Sequence, residues 1–110
     1  MKIVTVKMDK ERHLKFGVKA YVAIERALGV PMDKINFETQ ESIYALLLGG
    51  LAWEDKKLTM DKVMDIVENM IDKRAEEEGI PFMEAFGLVL GELGESIGEA
   101  MGNKKENPSE

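Results

Sequence analysis

The sequence predicts a mainly α protein of the α+β kind, with a short N-terminal β-hairpin followed by a bundle of about four helices. Three observations carry the prediction. The N-terminal stretch is rich in β-formers that alternate with polar side chains. Beyond it, apolar residues recur at helical spacing in four separate stretches. Those stretches are divided by Gly, Pro and Thr at places where helices stop and start.

The hairpin is expected over about residues 2–18. Ile3, Val4, Thr5 and Val6 form the first strand, Asp9-Lys10-Glu11 the turn, and the alternating run from His13 to Val18 the second strand. A lone two-stranded hairpin is marginal in water, so this one must lean on the helices or add to a neighbour's sheet. The first helix is expected over about 19–28. Ala20, Tyr21, Ile24, Ala27 and Leu28 share a face, Gly29 supplies the stop, and Pro31 follows. The second is expected over about 39–53, with Thr39 as its N-cap and Glu41 in its first turn. Its apolar residues Ile43, Tyr44, Leu46, Leu47, Leu48, Leu51 and Trp53 wrap most of the circumference, as a central helix requires. Gly49-Gly50 is either a kink or a point of close packing. The third helix, about 59–78, starts at the cap Thr59 and carries the stripe Val63, Met64, Ile66, Val67, Met70 and Ile71. Gly79 ends it, and Pro81 opens the fourth, about 81–101. The polar residues 103–110 are expected to be a disordered tail. No repeat or linker divides the chain, so residues 1–102 are expected to form one domain.

The fourth helix holds the most informative pattern. Gly87, Gly91, Gly94 and Gly98 fall within roughly 60° of one face at ~100° per residue. Phe82, Met83, Phe86, Val89, Leu90, Leu93, Ile97 and Met101 lie on one side of that row, and Glu84, Glu92, Glu95 and Glu99 on the other. A glycine inside a helix costs about 1 kcal/mol relative to alanine. The physical use of such a row is close approach of another backbone, either within the chain or from a partner. The residues expected to make contacts are Phe82, Phe86, Leu90 and Leu93 as apolar anchors, the four glycines as the notch, and Trp53 as a core anchor or an interface hot spot.

Composition narrows the function. The chain has 110 residues and a net charge of −6, which argues against nucleic acid as the main partner. The charge is divided: residues 1–26 carry seven basic side chains against three acidic ones, and the rest eight against eighteen. The basic end of one copy could therefore meet the acidic helices of another. Cysteine is absent, so neither a disulfide nor a thiolate site is available. There is no signal-peptide pattern and no apolar run of ~20 residues, so no membrane association and a cytoplasmic setting are expected. His13 is the only histidine and reads as a surface strand residue. The carboxylates lie on polar helix faces interleaved with lysine and arginine, so no metal site, cofactor site or catalytic centre is predicted. The eight methionines fit core gaps or an adaptable binding surface.

Three strings carry a family resemblance. They are Leu14 to Gly29, ending in Glu25-Arg-Ala-Leu-Gly29; Ile43-Tyr-Ala-Leu-Leu-Leu-Gly-Gly-Leu51; and Leu58-Thr59 opening the helix Met60-Asp-Lys-Val-Met-Asp-Ile-Val67. In this order they resemble the small tail assembly chaperones of long-tailed phages, prophages and gene transfer agents. The resemblance covers about residues 12–72, and the glycine row is no part of it. It implies a non-enzymatic protein of the host cytoplasm, absent from the mature virion, that self-associates and coats the tape-measure protein during tail assembly. It also implies a longer, frameshifted form, which the paired Lys104-Lys105 would suit. The alternative is a small homo-oligomeric structural or regulatory module without a chaperone role.

Overall fold

The hairpin forms from strands β1 (Ile3–Lys7) and β2 (Glu11–Lys15), paired antiparallel with Val4 opposite Leu14 and Val6 opposite Arg12. These four side chains are buried, while Ile3, Thr5 and Lys7 are exposed on the other face. The structure, a computed structural model, describes residues 1–102; the expected disordered tail over 103–110 lies outside the described residues.

Helix α1 (Val18–Leu28) ends where Gly29 takes φ +73°, its N–H bonding the Glu25 carbonyl. A single 3₁₀ turn, Met32–Lys34, follows and was not expected. Its entry is fixed by the Glu25 carboxylate, which accepts the Met32 N–H at 2.8 Å. Helix α2 (Gln40–Leu51) is capped by Thr39, whose hydroxyl accepts the Ser42 N–H at 3.2 Å. Helix α3 (Met60–Glu78) is capped in the same way by Thr59 on the Lys62 N–H, and stops at Gly79 with φ +64°. Pro81 leads into helix α4 (Phe82–Ala100).

The expected architecture of a hairpin and four helices is what forms. The helix α2 is the centre. Ala45, Leu47 and Leu51 are fully buried, and the helix packs against α1, α3, α4 and β2. The helices α3 and α4 pack along each other, burying Val63, Val67 and Ile71 against Ala85, Val89, Leu93 and Ile97. The hairpin bridges the two halves, with β2 over α2 and β1 over α4. One apolar cluster runs through all of these elements, which is how the hairpin gains the support it lacks alone.

Helix α2 ends two residues before the expected position. The Trp53 and Glu54 side chains instead reach the hairpin. The indole N–H donates to the His13 carbonyl at 2.9 Å, and the Glu54 carboxylate accepts the His13 N–H at 2.8 Å. The glycine pair 49–50 does not break the helix. A Cβ at Gly49 would stand 2.6 Å from Ile24 Cγ1 and 2.8 Å from the Ala20 carbonyl oxygen. At Gly50 it would stand 2.7 Å from both Leu14 Cδ2 and Phe16 Cζ. The pair therefore serves close packing, bringing α2 against α1 on one side and the hairpin on the other.

Candidate interaction surface on the fourth helix

Helix α4 turns Ala85, Val89, Leu93, Ile97 and Ala100 inward. This row is spaced four, four, four and three, the period of one helical face. The glycines fall on the outward half. At Gly87, Gly91 and Gly94 a Cβ would meet nothing within 4 Å, and all three are exposed. No segment among the described residues uses the notch at these positions. Gly98 is half-buried.

Beside the open row stands an apolar strip. Phe82 is 43% and Met83 69% exposed, and Phe86 and Leu90 are half-buried against the core. The Phe82 and Phe86 rings lie 6.4 Å apart, close to parallel, so the strip begins as an aromatic ledge. Leu93, expected among the contact anchors, belongs to the core instead, at 2% exposure. Its position one helical turn from Val89 and Ile97 puts it at the centre of the buried face. Beyond the glycines lie Glu84, Glu92, Glu95 and Glu99, all exposed, with Leu88 exposed among them. Glu92 pairs with Arg74 of α3 at 2.6 Å, and Glu99 with Lys2 at 3.4 Å. The latter is a contact between basic hairpin and acidic helix made within one chain.

Trp53 is not part of this strip. It is 39% exposed and clamps β2, with Lys15 Nζ 4.7 Å above its ring. It lines a cleft of about 530 Å³ together with Lys15, Lys19 and Lys56. That lining holds no carboxylate, thiol or hydroxyl, so it suits attraction of an acidic group rather than bond-making chemistry. Among the described residues no group of three or more His, Cys, Asp or Glu is placed to hold a metal ion, and no helix is long and apolar enough to cross a membrane.

One residue was missed by sequence reasoning. Arg12 is 5% exposed, with its guanidinium bonded to Asp9 at 2.7 and 2.9 Å and to Asp55 at 3.2 Å. The hydrogen bonds hold both carboxyls below the usual carboxylate range and raise the arginine. The available signal was spacing: Arg12, Leu14 and Phe16 share one strand parity and so one face. No family model matches the chain, and no curated protein or solved structure matches it.

Proposed function

We propose that this chain is a non-enzymatic tail assembly chaperone that holds amphipathic helical segments of a tape-measure protein and associates with copies of itself in the host cytoplasm. The observation that carries the reading is the open glycine row of α4 flanked by exposed Met83 and half-buried Phe86 and Leu90, with exposed Phe82 at the start of the helix. Three exposed mid-helix glycines each sacrifice about 1 kcal/mol, and nothing within the described chain makes use of them. A client helix laid along the row can approach the α4 backbone closely while its apolar side meets Phe82, Phe86 and Leu90. Each such contact is small. Many copies along one rod supply the strength through effective concentration. The acidic flank Glu84, Glu92, Glu95 and Glu99 would select clients with a basic edge. The order of apolar strings and caps over about residues 12–72 supports the same reading through its resemblance to phage tail chaperones.

The test is co-expression with a phage tape-measure protein, followed by pull-down. The wild-type chain is expected to keep that protein soluble and to co-purify with it. Gly91→Leu with Gly94→Leu fills the notch without touching the core, and is expected to abolish capture while the far-ultraviolet circular dichroism stays helical. A tape-measure protein that precipitates beside the wild-type chain overturns the chaperone role. A chain that self-associates but never holds the client is the small homo-oligomeric module instead.

A further inference from the structure

The two edges of the hairpin are treated differently. On β2 the outward backbone groups of His13 are satisfied by the Glu54 carboxylate and the Trp53 indole. Because His13 directs its N–H and C=O away from β1, the facing pair Thr5–His13 is the non-hydrogen-bonded kind. Thr5 therefore directs its own N–H and C=O away from β2, and by the period of two so do Ile3 and Lys7. All three residues are exposed. Among the described residues no side chain or turn is bonded to these outward groups. The strand is Ile-Val-Thr-Val-Lys, with four β-branched residues in a row and no proline or bulge. Folded proteins ordinarily blunt an edge of that composition, as this one does on β2.

We propose that the outer edge of β1 pairs antiparallel with β1 of a second copy, making a four-stranded sheet β2–β1–β1–β2 across a twofold axis at Thr5. This inference does not depend on the chaperone reading. The occupant is a second copy because the strand complements itself in one register. With Thr5 opposite Thr5, the outward-bonding residues Ile3, Thr5 and Lys7 all find partners, and the overlap is the full strand. On the inner face Val4 then adjoins Val6 of the second copy, extending the apolar side of the sheet. On the outer face Lys7 meets Ile3, half exposed, and no two lysines stand opposite each other. Charge agrees as well. A groove of about 200 Å³ runs along this edge, walled by Met70, Glu92 and Ser96. Outside that groove, next to the start of the strand, Glu99 pairs with Lys2 at 3.4 Å. An antiparallel second β1 brings its Lys2 toward Glu92 and its Lys7 toward Glu99. The contact is isologous and closes as a dimer, leaving α4's glycine row open.

Thr5→Pro tests this directly. The Thr5 N–H is outside the β1–β2 ladder, so proline removes only the outward donor and is tolerated on an edge. Sedimentation equilibrium across a concentration series is expected to give a dimer for the wild-type chain. Thr5→Pro is expected to weaken it at least tenfold, with the circular dichroism unchanged. Ile3→Lys places lysine opposite Lys7 twice per dimer and is expected to weaken it too. The Thr5 amide is expected to exchange slowly with deuterium at high protein concentration and quickly on dilution. Gly91→Leu with Gly94→Leu is expected to leave this dimer intact, which separates its failure from failure of the client surface. A monomer at every concentration overturns the proposal. So does a dimer in which the Thr5 amide exchanges as fast as any exposed amide. If Thr5→Pro fails to fold, the exchange measurement and Ile3→Lys decide.

Discussion

A single methyl group should have opposite effects on two helices of this protein. At Gly91 or Gly94 a Cβ enters open space, so Gly→Ala there is expected to stabilise the fold by about 1 kcal/mol through helix propensity alone. In a domain of this size that raises the melting temperature by roughly 4–8 °C. At Gly49 the same change drives Cβ to 2.8 Å from the Ala20 carbonyl oxygen, a backbone atom that cannot swing aside. Gly49→Ala is expected to cost about 1–3 kcal/mol. Gly50→Ala should cost less, since its neighbours are the tips of the Leu14 and Phe16 side chains. Thermal or urea unfolding of the four variants reads the contrast. If Gly91→Ala destabilises, the row is serving the fold, and the proposed contact surface on α4 is overturned.

At the scale of elements, Arg12 joins the hairpin turn to the segment between α2 and α3 through Asp9 and Asp55. A carboxyl depressed in the folded state adds stability above its unfolded value, and that contribution is lost as pH falls through the folded value. Stability is therefore expected to decline below about pH 4, the ordinary aspartate range. Arg12→Met, which keeps an apolar stem in the buried site, should flatten that decline; melting curves from pH 6 to pH 2 measure it. An unchanged slope in the variant would assign the acid sensitivity to other carboxylates. The elements themselves were legible. Thr39 and Thr59 act as caps, Gly29 and Gly79 as stops, and the strand and helix periods locate the hairpin and all four helices. What the period could not reveal is which half of a broad apolar arc is buried. On α4, Phe86 and Leu90 lie beside Leu93 on that arc, and only packing against α3 decides that Leu93 is buried while they stay half-buried. Phe82, just ~20° round from Leu93 at ~100° per residue, is exposed because it stands in the first turn of the helix. The same limit hid the difference between two glycine groups. Gly49-Gly50 and Gly91/Gly94 look alike in the chain, and the neighbours that separate them lie far away in sequence at Ala20, Ile24, Leu14 and Phe16.

At the scale of the whole molecule, the hairpin and the bundle share one apolar cluster, so they are expected to unfold together. The lone tryptophan of the chain sits on the seam between them, its indole bonded to the His13 carbonyl and covered by the Lys15 ammonium. Its emission should therefore change when the hairpin lifts, whereas far-ultraviolet circular dichroism follows the helices. Coincident thermal transitions by the two probes are expected, and an earlier fluorescence change would mark the hairpin as a separate cooperative unit. The placement of Trp53 thus equips the protein with a built-in optical gauge. Without any attached dye, one wavelength reports whether the N-terminal ribbon is seated, and so whether its outer strand is presented in register for a second ribbon.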